Sequence, residues 1–266
     1  MDIMKKFIPF MKSDPIVSVI RLQGAISNGG RGLDNPSLAP VIEKAFAKKP
    51  AAVVLEINCP GGSPVQSSLI AARIRRLADE KSVPVFAFVE DVAASGGYWL
   101  ACAADEIFVD DCSVTGSIGV ISAGFGLQDA IERYGIERRV HTAGTSKSML
   151  DTFKAQNPED VTRLKGWLED IHQTFIAYVK SRRGTKLADN PDLFTGEVFI
   201  GQKGVDQGLV DGVAHMVPEM KRRFGDKVKF RRYGAKKSIL SRFGARTVSH
   251  AVAEVEDRAA FARFGL

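Results

Sequence analysis

The feature that most constrains this chain is an alternation of short β-branched runs with stretches of helical spacing. Residues 15–22 (PIVSVIRL), 51–57 (AAVVLEI) and 83–89 (VPVFAFV) are apolar and rich in valine. Such short, nearly continuous apolar runs predict strands buried on both faces. Each precedes a helical pattern: residues 37–47, then 65–78 with Leu69, Ile70, Ile74 and Leu77 on one face, then 96–104. Strands alternating with helices predict an α/β class, a mostly parallel sheet flanked by helices. Residues 106–109 read as a further strand, 128–134 and 159–182 as further helices. The last of these carries Leu164, Trp167, Leu168, Ile171, Phe175 and Tyr178 as a broad apolar stripe, suited to core or subunit packing.

Composition narrows the class. Of 266 residues, 45% are hydrophobic and 26% charged, as in soluble globular proteins. No run of 18 apolar residues predicts a transmembrane helix. Cys59, Cys102 and Cys112 are an odd number and match no zinc spacing, which points to a reducing, cytoplasmic setting. The net charge of +6 is uneven: residues 218–266 hold 13 basic and 5 acidic residues, a net +8, leaving −2 elsewhere. That argues against a core that binds nucleic acid. The expected organisation is an N-terminal arm over 1–14, a core domain over 15–217 and a basic C-terminal extension over 218–266. A final helix is expected over 247–264.

Two sites fall at the C-terminal ends of predicted strands, where open α/β sheets gather catalytic groups. The first is Cys59-Pro60-Gly61-Gly62. Paired glycines before a helix can aim free backbone N–H groups at a developing negative charge, or merely turn the chain. The second is Ala94-Ser95-Gly96-Gly97-Tyr98. Ser95 there is either a nucleophile at a helix start or a simple N-cap. A serine nucleophile needs a base. None of His141, His172, His215 and His250 lies in a local pattern that builds a Ser-His-acid triad. Lysine is the other option, and it must be neutral, which demands desolvation or a neighbouring positive charge. Lys147, in the small-residue loop Gly144-Thr145-Ser146-Lys147-Ser148, and nearby Lys154 both stand as candidates.

Residues 92–122 (VAASGGYWLACAADEIFVDDCSVTGSIGVIS) resemble the signal peptide peptidase A / SohB family of serine peptidases, the S49 peptidases. Four motifs of that family stand in order: A-S-G-G-Y at 94–98, T-G-S-I-G-V at 115–120, G-x-x-K-S at 144–148, and VFIGQKGVDQGLVD at 198–211. The resemblance spans residues 15–217. It implies a ClpP/crotonase-like fold and a Ser-Lys dyad of Ser95 and Lys147. It also implies an oxyanion hole of the Gly62 and Gly96 N–H groups, with Ser117 or Thr115 orienting the lysine. The turn departs from the family's S-P-G-G in having Cys59, which leaves the backbone donors unchanged.

The implied partners are peptide or unfolded protein substrates, such as cleaved signal peptides, and further copies of the chain in a ring. Neither a metal nor a cofactor is implied. The basic extension is suited to contact with another subunit or simply to solvent, and also to anionic lipid heads, which would give peripheral contact with the inner face of the membrane. An acyl-CoA-handling crotonase would share the fold and the paired donors. It would need neither the serine before Gly-Gly nor the lysine loop.

Overall fold

The computed structural model describes residues 14–28, 32–144, 146–234 and 258–266. All but Asp14 of the expected N-terminal arm, and most of the expected final helix, lie outside these residues. The chain forms two compact units, Met1–Ile118 with Tyr178–Leu266, and Gly119–Ala177.

The first unit begins β1 (Ile16–Gln23), α1 (Asn35–Phe46), β2 (Ala52–Cys59), α2 (Pro64–Lys81), β3 (Val85–Ala94), α3 (Gly96–Ala101), β4 (Glu106–Val109) and β5 (Val114–Gly116). The second unit holds α4 (Gln128–Arg133) and most of α5 (Pro158–Arg183). The chain then completes the first unit with β6 (Val198–Ile200), α6 (Gln202–Asp206), β7 (Gly212–Val213), α7 (Met216–Phe224) and β8 (Lys229–Tyr233).

These strands make one eight-stranded sheet in the order β6-β5-β3-β2-β1-β8, with β4 on β3 and β7 on β4. Every pairing is parallel except β5 with β6. β3 serves two partners in turn. Residues 86–88 pair with β4, and residues 92–94 pair with β5. This handover carries β3 past its neighbours and delivers its end to the site.

Burial on both faces explains the apolar runs. All eight residues of β2 are buried. Val17, Val19, Val54, Phe86, Phe88 and Phe108 pack with Met216 and Met220 of α7. The alternate residues of β1 face α1, where the buried Ser18 hydroxyl donates to Ala45 O at 2.8 Å. Local signals set the helix starts. Asp34 accepts from Ser37 N at 2.7 Å ahead of α1, and Ser63 caps α2 with Pro64 in its first turn.

Most of α7 and all of β8 lie past residue 217, the expected end of the core domain, and both pack with the strands of this unit. β8 is an edge strand on β1, and edges are where Lys and Arg are tolerated. Its Arg232 pairs with the buried Glu56. Further on, Phe261 and Phe264 pack on Val92, Ala94 and Val114.

Within the second unit, Leu127 N–H donates to Thr152 O at 2.8 Å, and Arg138 bonds Asp151 at 3.0 Å. The Arg138 guanidinium also lies 4.9 Å from the Phe153 ring centre. Residues 139–141 are irregular. Among the described residues, no helix is long and apolar enough to cross a membrane.

Candidate active site

β3 runs straight into Ser95, and α3 starts at the next residue. Ser95 has φ 52° and ψ −121°, a region that residues with a Cβ rarely occupy. Gly201, at the head of α6, shows the same geometry (φ 47°, ψ −118°) with the residue type that suits it. A serine forced into a sharp strand-to-helix turn is the arrangement of a nucleophile elbow. The turn is held by Ser95 N–H donating to Gly116 O at 2.9 Å and by Trp99 N–H donating to Ser95 O at 3.0 Å. The hydroxyl makes no capping hydrogen bond to α3, so the simple N-cap reading does not hold. Within residues 92–104, Ser95 alone is not fully buried.

The glycine turn meets this residue. Gly61 and Gly62, at φ 110° and 138°, take a backbone that only glycine adopts freely. Hydrogen bonds from Ile26 N–H to Gly61 O (2.8 Å) and from Ser63 N–H to Ile26 O (2.9 Å) fix them. A methyl on Gly61 would stand 2.9 Å from Ser95 Cβ and 3.1 Å from Gly96 N. One on Gly96 would stand 3.4 Å from Gly62 N. One on Gly97 would stand 2.2 Å from Cys59 O. The Gly61-Gly62 turn therefore lies against Ser95 and Gly96, with Gly61 facing Ser95 and Gly62 facing Gly96. Neither the Gly62 nor the Gly96 N–H makes a backbone hydrogen bond among the described residues.

Ser117 lies beside this cluster, because Ala94 and Gly116 are partners across β3 and β5. Its φ of 50° is fixed by its N–H donating to Glu197 O at 2.7 Å. Thr115 is buried, and its hydroxyl donates to Phe199 O at 3.1 Å, which binds β5 to β6. Lys147 belongs to the second unit, in a turn over 146–150, with its N–H donating to Gly144 O at 3.2 Å and its side chain exposed. Lys154 lies in the same unit. His141 and His215 are exposed, His172 is half-buried within α5, and His250 is outside the described residues.

Behind α3 lies a buried polar support that sequence reading missed. Tyr98 is fully buried, and its hydroxyl donates to Leu209 O at 2.7 Å. Burial pushes this phenol well above its ordinary range, and pushes the neighbouring Cys102 thiol up to about 12. Arg183, also buried, donates to Gly208 O at 2.9 Å and to both carboxylate oxygens of Asp211. Burial alone would raise the Asp211 carboxyl, but hydrogen bonds from Arg183 and Lys186 outweigh it and hold it below the usual range. Asp211 also accepts Ile107 N–H at 2.8 Å, tying the end of the 198–211 motif to β4. The signal for this support was in hand, since the motif ends in G-L-V-D and the nucleophile motif in Tyr98. Among the described residues, no three His, Cys, Asp or Glu side chains gather as metal ligands.

The family model for peptidase family S49 matches residues 78–229. A "Na(+)/H(+) antiporter NhaA" of Brucella melitensis is 48% identical over 248 residues, 90% of this chain and 34% of the relative. A "Probable protease SohB" of Haemophilus influenzae is 29% identical, over 77% of this chain and 58% of the relative. The chain thus spans about a third of the first relatives it matches. Among solved structures, a lysine-to-alanine mutant of the 1510-N membrane-bound stomatin-specific protease, in complex with a substrate peptide, aligns at a TM-score of 0.56. It is 15% identical and covers 91% of this chain and 100% of that one, a likeness of fold. With the family model spanning more than half its length, this chain belongs to peptidase family S49, with relatives of the SppA and SohB type.

Proposed function

We propose that this chain is a serine peptidase in which Ser95 attacks the carbonyl of a peptide bond. The observation that carries this reading is the strained, partly exposed Ser95, with an uncapped hydroxyl, pressed against the Gly61-Gly62 turn. In the proposed reaction, neutral Lys147 takes the proton of the Ser95 hydroxyl as its oxygen bonds to the carbonyl carbon. The oxyanion is held by the N–H groups of Gly62 and Gly96. The carbon–nitrogen bond then breaks, the lysine returns its proton to the leaving amine, and water releases the acyl group from Ser95. Ser117 is the better candidate for orienting the lysine, because the Thr115 proton is engaged with Phe199 O. Family membership supports peptide hydrolysis. The similar solved structures include a serine-to-alanine and a lysine-to-alanine mutant of the 1510-N protease, which fits a serine and a lysine as the working pair.

A lysine serves as a base only when neutral, which desolvation or a nearby positive charge brings about, and Lys147 is exposed within its own unit. We therefore place its cover in a ring of identical chains, with serine and lysine meeting across subunits. Exposed apolar residues of the second unit, Phe125, Tyr134 and Trp167 among them, suit that assembly. The proposed substrates are extended segments of unfolded or membrane-derived proteins, such as cleaved signal peptides. A site of action against the inner face of the membrane fits the basic residues after 217. It also fits the relative in which the matching third belongs to a polypeptide named for an antiporter.

The test is hydrolysis of an unfolded protein by the parent, Ser95→Ala and Lys147→Ala. Loss of turnover in both variants, with the fold retained, is expected. Unchanged turnover in both would remove the dyad.

A further inference from the structure

The nucleophile stands at the head of a helix of six residues, too short to hold itself in place. A strained backbone such as that of Ser95 persists only where its surroundings over-determine it. At the N-terminal side those surroundings are the glycine turn and Gly116 O. The C-terminal side has its own device, made of residues that no motif contains.

Three successive carbonyls leave the end of α3, those of Cys102, Ala103 and Ala104, and all three residues are buried. Arg182 donates through Nε to Cys102 O at 2.8 Å and through Nη2 to Ala104 O at 2.9 Å. Arg75 donates through Nη1 to the middle carbonyl, Ala103 O, at 3.0 Å. Asp105 bridges the pair, with one oxygen 2.8 Å from Arg75 and 3.5 Å from Arg182. Its other oxygen accepts Val85 N–H at 2.8 Å, at the start of the strand whose far end delivers Ser95. One turn before Arg182 on α5, the Tyr178 ring stacks on Trp99 of α3, with centres 5.0 Å apart and planes 16° apart. The helix is thus gripped along its side and across its end.

We infer that Arg182, with Arg75, is a positioning residue for the nucleophile. Its guanidinium fork bridges two carbonyls just past the end of α3 and fixes the helix at whose head Ser95 and the Gly96 N–H stand. The fork is the essential feature, because it supplies two directed donors from one rigid plane where lysine supplies a single mobile charge. This inference rests on Ser95 being the nucleophile.

The test compares the full-length parent, Arg182→Ala, Arg182→Lys, Arg75→Ala and Ser95→Ala. Each is assayed for peptide hydrolysis and for the rate of labelling by a fluorophosphonate, after its melting curve and sedimentation match a folded assembly of parental size. Arg182→Ala is expected to lower kcat by about tenfold to a hundredfold, with KM within about twofold, and to slow labelling in parallel. Arg182→Lys is expected to fall between it and the parent. Should Arg182→Ala fail to fold, Arg182→Lys and Arg75→Ala carry the same test in smaller steps. Variants that melt earlier yet turn over at the parental kcat while folded would overturn the positioning role and leave a purely structural one. Retained hydrolysis in Ser95→Ala would instead overturn the nucleophile, a separate outcome.

Discussion

Replacing Gly97 with alanine probes how closely activity depends on the seat of α3. The added Cβ would lie 2.2 Å from Cys59 O and 3.0 Å from Cys59 C, whereas ordinary contact begins at 3.4 Å. Relief requires a separation of about 1 Å. Cys59 closes β2 and is paired with Ala93, so the short helix is the part that gives. Overpacking of this kind costs about 1–3 kcal/mol. In a chain of this size each kcal/mol lowers Tm by about 2–4 °C. The effect on catalysis should be larger, because a shift of about 1 Å at a reacting group can cost on the order of a hundredfold. The shift carries the Gly96 N–H and the Ser95 backbone away from the Gly62 turn. The assay is a thermal melt with hydrolysis of a quenched fluorogenic peptide, using Gly124→Ala as control, since nothing lies within 4 Å of its added methyl. A Gly97→Ala enzyme with parental Tm and parental turnover would refute the claim that this contact sets the site.

Two other expectations follow from the buried and charged groups. Cys112 is exposed while Cys59 and Cys102 are buried, so the folded protein should present one thiol to a disulfide reagent and the denatured protein three; rapid modification of a second thiol in the folded state would contradict the packing of α3. Glu219, tied to Arg222 and Arg223, is held at about 2 against an ordinary 4.5, chiefly by the hydrogen bond from Arg222. Its ionised form is therefore favoured in the folded state. The stabilisation is complete above pH 4.5 and fades as pH falls toward 2. The Tm difference between the parent and Glu219→Gln should be constant from neutral pH down to about 5 and close below 4.5. A difference that grows on acidification would reverse the assignment.

The central strands were readable because burial on both faces forces continuous valine and isoleucine runs, as in β1 and β2. What surrounds them was not. β5, β6 and β7 have only two or three residues each, too few for any period to register. β8 read as a basic tail because an edge strand with one pairing side can carry KFRRY. The extension of β3 to Ala94 was hidden by Glu90 and Asp91, which look like a turn and yet lie in the strand where the ladder shifts register. At the site, Ser95, Gly62 and Gly96 were legible because they are local motifs with a resemblance behind them. Arg75, Tyr98, Arg182, Arg183 and Asp211 act over separations of 25 to 111 residues, and a single arginine among 37 basic residues carries no mark of where it will reach.

The most direct test of the account is to label the folded protein with a fluorophosphonate and map the modified residue by peptide mass spectrometry. The account predicts a single adduct, on Ser95, that disappears in Ser95→Ala together with peptide hydrolysis. An adduct on another serine, or hydrolysis that survives in Ser95→Ala, would contradict it.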